Sequence, residues 1–372
     1  MAKLPLGQLF LLGFEGHEIP DGAKELLAGE GAGGVILFTR NIQSLEQVVE
    51  LNRRLFTLGT AEHPTLVSVD QEGGRVARLR GIMTDLPPMR RLGELSVDDE
   101  DLPYRVGAMM ARELSALGFH LDFAPVVDVD TNPANPVIGD RSFGATSATV
   151  AHAATQLLRG MQQAGVAACA KHFPGHGDTS TDSHFELPVL AHDLERLERV
   201  ELPPFQAAIE AGVASIMTAH VLFRVLDEAL PATLSPAVLH SLLKERLGFG
   251  GVVISDDLEM KAVADRYEVE ELVRLGLLAG IDLFLICHDE EKQARAIEAA
   301  HKLVESGEVP RSRAEDALAR VARLKMQFLG APSPPDLEEA RAIVRSSPHL
   351  ALAERLGRSD MGPPRHSPVD AL

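Results

Sequence analysis

The chain has 372 residues, of which 45% are hydrophobic and 24% are charged, so it can form one large domain, or two ordinary ones, around a sizeable core. Its formal net charge of −18 at pH 7 disfavours nucleic acids and anionic membrane surfaces, because both are recognised through Lys and Arg.

The first residues, MAKLPLGQLFLLGFEG, contain only a short apolar run, turn acidic and lack a small-residue cleavage site, which disfavours a signal peptide. No apolar stretch approaches the roughly 18 residues of a membrane-spanning helix. Cys169 and Cys287 lie far apart in hydrophobic runs and are interpreted as buried, unpaired thiols. We therefore expect a cytoplasmic protein.

Eight short apolar segments follow one another along the chain, with amphipathic stretches between them. Each is rich in β-branched or aromatic residues and shows little alternation, which is typical of parallel strands covered on both faces. The segments are QLFLLGF (8–14), GGVILFTR (33–40), TLVSVDQ (65–71), LDFAPVVDV (121–129), AACAKHF (167–173), ASIMTAH (214–220), GVVISDD (251–257) and IDLFLIC (281–287).

The intervening stretches carry helical signals. SLEQVVELNRRLFTL (44–58) has apolar residues at steps of three and four. Ser235 and Pro236 read as an N-cap followed by proline at the first helical position, and Gly212 and Gly280 fall where helices should end. Eight strands alternating with helices predict an α/β fold, a TIM-type (β/α)8 barrel, with a doubly wound sheet as the alternative.

Polar residues at the ends of many of the predicted strands favour the barrel, because in a barrel these ends converge on one mouth. They are Asp70, Asp128, Lys171, His172, His220, Asp256 and His288. We assign residues 1–330 to a single catalytic barrel domain. The Pro-rich linker GAPSPPD (330–336) and a pair of helices, near 336–346 and 347–357, form a C-terminal helical extension over 331–357. Residues 358–372 are interpreted as a disordered tail.

Three strand-end motifs carry candidate site residues. In VVISDDLEM (252–260), Asp256 is the candidate nucleophile, base or ligand, while Asp257 lies nearer a capping position. In VSVDQEGGRVARLRG (67–81), Asp70 beside Arg75 and Arg78 suits sugar hydroxyls, although a surface turn with a local ion pair is the alternative.

The third motif, NPVIGDRSFG (135–144), lies just beyond a predicted strand. Its Arg141 is a plausible donor to a carbonyl or hydroxyl group of a ligand. A local pair between Arg141 and Asp140 is the alternative interpretation.

The densest cluster of titratable residues is KHFPGHGDTSTDSH (171–184). Lys171 and His172 end a predicted strand, and glycines follow. Asp182 and His184 are two residues apart, so in extended chain the carboxylate can reach the ring, fix its tautomer and leave the other nitrogen for proton transfer. A solvated loop and a metal site remain alternatives, although the spacing matches no compact zinc signature. The possible metal ligands are His172, His176, Asp178, Asp182 and His184.

Seven motifs, in the same order, give the chain a resemblance to glycoside hydrolase family 3, from about residue 8 to 330. The sequence is most similar to the single-domain bacterial β-N-acetylhexosaminidases of the NagZ type. The motifs are VDQEGGRVARL (69–79), GDRSF (139–143), KHFPGHGDTSTDSH (171–184), ELPPFQAAI (201–209), IMTAH (216–220), PATLSP (231–236) and VISDDLEM (253–260).

The resemblance implies a retaining, two-step glycosidase that needs no metal or cofactor. By position in the motifs, Asp256 matches the nucleophile, His184 the general acid/base on a mobile loop, and Asp182 the carboxylate partner of that histidine. The residues that match the N-acetylglucosamine site are Asp70, Arg78, Arg141, Lys171 and His172.

The implied activity is that of a monomeric exo-β-N-acetylglucosaminidase acting on GlcNAc-anhydroMurNAc and its peptides in peptidoglycan recycling. A phosphorylase on the same scaffold is an alternative, because a neutral base does not repel an incoming phosphate. A metal-dependent barrel hydrolase and a non-catalytic sugar-binding sensor are the others. His176 and Asp178 are expected to shape the loop by hydrogen bonding.

Overall fold

A closed barrel of eight parallel strands forms the centre of the molecule. The structure is a computed structural model that describes residues 3–330 and 333–357, so the predicted tail over 358–372 lies outside the described residues. All eight strands fall within the predicted segments, at Phe10–Leu12 (β1), Gly34–Leu37 (β2), Leu66–Val69 (β3), Leu121–Asp122 (β4), Ala167–Phe173 (β5), Ser215–Thr218 (β6), Val252–Asp257 (β7) and Leu283–Ile286 (β8).

Each barrel strand pairs with its neighbours in chain order, and the first strand closes the ring against the last. Phe10 of β1 stands in register with Phe284 of β8, and their rings stack with centroids 5.4 Å apart. An open doubly wound sheet would leave β1 and β8 unpaired on one side. The closed ring therefore confirms the predicted (β/α)8 fold.

Helices surround the barrel and connect its strands. The α-helices are Asp21–Ala28, Leu45–Leu58, Met89–Leu95, Leu102–Ala116, Ser147–Gln163, Leu194–Arg196, Leu202–Glu210, Lys261–Ala264, Val269–Ala279, Glu290–Ser306, Arg311–Phe328, Leu337–Ile343 and Ser347–Leu356. Two further segments, Leu197–Glu201 and Ala237–Arg246, are π-helical. Short 3-10 turns occur at Leu6–Leu9, Thr39–Asn41, Gly139–Arg141 and Ala232–Leu234. Within the described residues, no helix has both the length and the apolar character of a membrane span.

The helix boundaries follow the predicted signals. The Ser44 side chain accepts the Gln47 N–H at the start of Leu45–Leu58. Gly280 ends Val269–Ala279 with a φ of 124°, a backbone conformation that favours glycine. Ser235 Oγ accepts the Val238 N–H, but the helix that follows is π-helical, which the sequence pattern did not predict.

The last two described helices, Leu337–Ile343 and Ser347–Leu356, pack on the outside of the barrel. Their anchor is Glu113, a fully buried carboxylate on the barrel helix Leu102–Ala116. It accepts hydrogen bonds from the Thr84 backbone and hydroxyl, from the Arg345 N–H at 3.0 Å, and lies 2.7 Å from His349 Nδ1. One buried charge thus joins a barrel loop, a barrel helix and the extension.

Candidate active site

A cavity of about 420 Å³ lies at the carboxyl ends of the barrel strands. This volume falls within the range of small-molecule sites. All eight predicted site residues line it, namely Asp70, Arg78, Arg141, Lys171, His172, Asp182, His184 and Asp256. The fold therefore collects in one place residues that span almost 190 positions of the sequence.

Asp256 lies at the tip of β7 and lines the cavity. Its Oδ1 accepts the N–H of Asp257 at 2.8 Å. Burial would raise the pKa of Asp256, but the charges of the surrounding histidines outweigh this effect and lower it. These histidines are His220, His172 and His184. The side chain is thus an ionised carboxylate facing the cavity, as a nucleophile requires.

The neighbouring carboxyl group of Asp257 has the opposite character. Burial and the charge of Glu259 raise the pKa of Asp257 to about 8. Asp257 Oδ1 accepts the Glu259 N–H at 3.1 Å, which organises the turn after β7. At neutral pH the two adjacent aspartates therefore differ in charge, and Asp256 is the ionised one.

Asp182 and His184 form a hydrogen-bonded pair on the loop after β5. Asp182 Oδ1 lies 2.6 Å from His184 Nδ1 and also accepts the His184 backbone N–H at 2.9 Å. Burial raises the pKa of Asp182, but the hydrogen bonds from His184 outweigh it and lower the pKa. This geometry confirms the contact expected from the two-residue spacing. It places the Nδ1 proton against Asp182 and leaves Nε2 for proton transfer.

His176 and Asp178 hold the same loop in place by hydrogen bonding. The buried ring of His176 contacts Thr179 Oγ1 at 2.8 Å through Nδ1 and Ser183 Oγ at 3.1 Å through Nε2. Burial and the charge of His172 lower the pKa of His176 to about 4, so its ring is neutral. Asp178 accepts a hydrogen bond from the Thr131 hydroxyl, and its Oδ2 lies 2.7 Å from His192 Nε2 on the flanking segment.

Gly177 allows the loop to approach the barrel closely. A Cβ atom at this position would lie 1.9 Å from the carbonyl oxygen of Val129. Gly175 has a φ of 138°, which also favours glycine. Both glycines are therefore needed for the observed course of the loop.

His172 is oriented by Asp128, a buried residue that was predicted to reach the barrel mouth but not to join the site. Asp128 Oδ2 lies 2.7 Å from His172 Nδ1, and Oδ1 accepts the His176 N–H at 2.6 Å. Burial raises the pKa of Asp128, but the charge of His172 outweighs it and lowers the pKa. The carboxylate thus fixes the ring of His172 with Nε2 available to a ligand.

Glu72 links the basic residues of the site, and the sequence analysis missed it. Its carboxylate binds Arg141 through two hydrogen bonds, of 2.8 and 2.7 Å, and lies 2.7 Å from Lys171 Nζ. Lys171 Nζ also donates to Asp70 Oδ1 at 2.6 Å. The alternative of a local pair between Arg141 and Asp140 is therefore wrong, because Glu72 is the partner of Arg141.

Burial and charge pairing act in opposite directions on the Glu72 carboxylate of this network. Burial raises the pKa of Glu72, but Arg141 and Lys171 hold it well below its usual range. Arg78 is also buried and lies over the Phe38 ring, 5.7 Å from its centroid.

The sequence did contain a signal that could have indicated Glu72 as a site residue. Glu72 lies two positions after Asp70, and alternate residues of extended chain point the same way.

His220 and His288, two other strand-end residues, serve mainly as supports. His220 Nδ1 contacts Thr233 Oγ1 at 2.8 Å, and Nε2 contacts the Asp257 carbonyl oxygen at 2.9 Å. Burial and the charge of Arg40 lower the pKa of His288 to about 4. In the described parts of the chain, no three His, Cys, Asp or Glu side chains are arranged to hold a metal ion.

The chain is similar to known proteins over most of its length. The profile of the glycosyl hydrolase family 3 N-terminal domain matches residues 3–324. A protein of Thiobacillus denitrificans named β-hexosaminidase is 39% identical over 352 residues, covering 94% of both chains.

Two solved structures are similar over most of this chain. A family 3 β-N-acetylglucosaminidase from Paenibacillus has a TM-score of 0.89 and 41% identity, covering 96% of this chain and 68% of that one. NagZ from Neisseria gonorrhoeae has a TM-score of 0.78 and 31% identity, covering 94% and 98%. The chain therefore belongs to glycoside hydrolase family 3 and is a glycosidase.

Proposed function

We propose that this enzyme is a retaining exo-β-N-acetylglucosaminidase that works through a covalent glycosyl-enzyme. One observation carries the proposal: an ionised carboxylate, Asp256, and a carboxylate-supported imidazole, His184, line the same cavity. A nucleophile and a separate proton carrier are what a two-step glycoside displacement needs.

In the first step, a carboxylate oxygen of Asp256 attacks the anomeric carbon while the glycosidic C–O bond breaks. His184 Nε2 gives its proton to the departing oxygen, so the leaving group departs as a neutral alcohol. In the second step, His184 takes a proton from water, and the resulting hydroxide oxygen bonds to the anomeric carbon. Asp256 is released as a carboxylate, and two inversions leave the β configuration unchanged.

This scheme replaces the usual second carboxyl group of glycosidases with an imidazole. An imidazole ring can donate a proton in one step and accept one in the next, which suits both steps of the reaction. Asp182 stabilises the ring when it is protonated, through the 2.6 Å contact with Nδ1.

We propose that a terminal N-acetylglucosamine unit binds to the remaining five predicted residues. The Lys171 ammonium and the Arg141 guanidinium offer charge-assisted donors, and Asp70 offers an acceptor for hydroxyl groups. Arg78 and His172 line the same space. The names of the similar proteins, β-hexosaminidase and β-N-acetylglucosaminidase, support this choice of sugar.

We propose GlcNAc-anhydroMurNAc and its peptides as the natural substrates, with the monomeric enzyme acting in cytoplasmic peptidoglycan recycling. The resemblance to NagZ supports this assignment. The two cysteines, Cys169 and Cys287, are both free and buried, which suits a reducing compartment.

A phosphorylase remains the second candidate, because the proposed base is an imidazole that presents no negative charge to an incoming phosphate. Product analysis on GlcNAc-anhydroMurNAc, with and without inorganic phosphate, separates the possibilities. We expect free N-acetylglucosamine under both conditions. N-acetylglucosamine 1-phosphate as the main product would establish phosphorolysis instead. Tight sugar binding without turnover at any pH would indicate a sensor.

A further inference from the structure

Asp122 is a buried acidic residue to which the proposed reaction assigns no role. It ends β4 and stands in register with Val69 of β3 and Ala168 of β5. Asp70 follows Val69 directly, and Lys171 lies three residues after Ala168. Asp122 therefore lies between the two strands that lead to these charged residues of the site. Because its side chain has no exposed surface, it cannot contact a sugar in the cavity itself.

One carboxyl oxygen of Asp122 holds the segment that follows β3. Oδ1 accepts the backbone N–H of Gln71 at 2.9 Å, and this contact is buried. Gln71 lies between Asp70 and Glu72 in the chain. Its side-chain Oε1 in turn accepts the Leu79 N–H at 3.0 Å. The positions of both acidic residues of the site thus depend on the peptide group that Asp122 binds.

The other carboxyl oxygen, Oδ2, is buried and has no hydrogen-bond partner among residues 3–330 and 333–357. An ionised carboxylate is strongly disfavoured where burial removes water and no donor replaces it. A protonated carboxyl group carries no charge, and its carbonyl oxygen still accepts the Gln71 N–H. The geometry of Asp122 therefore favours the neutral acid, with the proton on Oδ2.

The charges around Asp122 are already balanced without it. Lys171 Nζ lies 2.6 Å from Asp70 Oδ1 and 2.7 Å from Glu72 Oε1. Arg141 binds the same Glu72 carboxylate through two hydrogen bonds. Two cations thus face two anions, and a third negative charge would be repelled. Burial raises the pKa of Asp122 well above its usual range, and the charges of Asp70 and Glu72 act in the same direction.

We propose that Asp122 is a neutral carboxylic acid that positions Asp70 and Glu72 for binding of the sugar. It is a positioning residue, because it acts on the site through the peptide group of Gln71. As a neutral acid it accepts this hydrogen bond without adding a third negative charge to the network. The inference rests on the proposed function, since it takes Asp70 to be part of the N-acetylglucosamine site.

The kinetic test compares variants of the full-length enzyme on an aryl β-N-acetylglucosaminide. Asp122→Asn keeps an uncharged side chain with an acceptor oxygen, so KM and kcat should stay within about twofold of the wild-type values. Asp122→Leu keeps the approximate size but leaves the Gln71 N–H without its acceptor. We expect this change to raise KM about 10-fold and to alter kcat less. If Asp122→Leu does not fold, Asp122→Ala repeats the test with a smaller side chain.

Infrared spectroscopy tests the charge of Asp122 directly. A protonated carboxyl group has a carbonyl stretching band that a carboxylate lacks. The difference spectrum between the wild type and Asp122→Asn at neutral pH should contain one such band. Asp128→Asn is the matched control and should remove no acid band, because the charge of His172 keeps this equally buried aspartate ionised.

The positioning role would be overturned by an unchanged KM in Asp122→Leu. It would also be overturned if Asp122→Leu and Asp122→Ala both failed to fold while Asp122→Asn folded, since Asp122 would then serve stability alone. A KM that rises as far in Asp122→Asn as in Asp122→Leu, or the loss of no acid band, would show that Asp122 is ionised. A wild-type enzyme that releases no N-acetylglucosamine would refute the proposed function instead, whereas the infrared difference would still decide the charge of Asp122.

Discussion

Asp182 contacts His184 twice, through the backbone N–H at 2.9 Å and through ring atom Nδ1 at 2.6 Å. A single carboxylate oxygen thus fixes both the local backbone turn and the rotation of the imidazole. The residue that orients the ring lies only two positions away along the chain, not on a distant segment. The pair can therefore retain its internal geometry if the loop changes position.

Removing the proposed proton carrier should affect substrates according to their leaving groups. We expect His184→Ala to lower kcat roughly 10²- to 10⁴-fold on a disaccharide. The loss should be much smaller on an aryl glycoside with a good leaving group, because its departure needs little protonation. A series of aryl β-N-acetylglucosaminides of graded leaving-group pKa measures this. Equal losses across the series would contradict the role as general acid.

Asp182→Asn keeps the shape of the side chain but removes its charge. An amide no longer stabilises a protonated imidazole, so we expect kcat on poor leaving groups to fall about 10²-fold or more. The same graded aryl series should reveal a trend parallel to that of His184→Ala. The double variant should lose little beyond the His184 single variant, because the two residues act as one unit. Additive losses would show independent roles.

The nucleophile can be identified by trapping. A slow fluorinated N-acetylglucosaminide should label Asp256, and mass spectrometry of proteolytic peptides should locate the sugar there. Asp256→Asn should abolish labelling and turnover. Asp257→Asn is the matched control, because this neighbour is already uncharged at neutral pH and its amide preserves that state. A label on Asp257, or on any other residue, would refute the assignment.

Glu72 should act as a positioning residue. In Glu72→Gln, Lys171 and Arg141 lose a shared buried counter-charge, so we expect KM to rise at least about 10-fold while kcat changes less. The free energy of unfolding should fall by about 3 kcal/mol, as is typical when one partner of a buried ion pair is removed.

The control for this prediction is Glu94→Gln. Glu94 forms an exposed pair with Arg91 and should contribute less than about 1 kcal/mol to the free energy of unfolding. Steady-state kinetics and urea unfolding of both variants make the comparison. An unchanged KM in Glu72→Gln would show that Glu72 contributes to stability alone.

Because His176 is buried and neutral, the free energy of unfolding should decrease at acidic pH. Its pKa is lowered from 6.5 to about 4, so between these values the unfolded chain binds more protons than the folded one. The contribution of His176 to the free energy of unfolding is therefore complete above about pH 6.5. It decreases as the pH drops, by about 3 kcal/mol at pH 4.

The measurement is urea unfolding of wild type and His176→Gln at pH 8 and pH 5. The stability advantage of the wild type should be about 2 kcal/mol smaller at pH 5. His240→Gln, which removes an exposed imidazole beside Glu245, controls for the loss of a histidine in general. An advantage that stays constant with pH would contradict a neutral His176.

The fold could be predicted because a strand that is buried on both faces appears in the sequence as a short, continuous apolar segment. The contact between Asp182 and His184 was also predictable from their two-residue spacing, although the segment forms a turn and not the extended chain from which it was predicted. Glu72 could not be paired with Arg141 from sequence, because 69 residues separate them and only the closed barrel brings them together. The same holds for Asp128 and His172, which are 44 residues apart. The local pair of Arg141 with Asp140 was wrong for this reason.

The anchor at Glu113 determines how the C-terminal helices relate to the barrel. If the chain were cut after residue 330, Glu113 would keep its bonds to Thr84 but lose Arg345 and His349. A buried carboxylate would then lack half of its donors, at a cost of several kcal/mol. The barrel and the two helices should therefore unfold together, in a single cooperative transition.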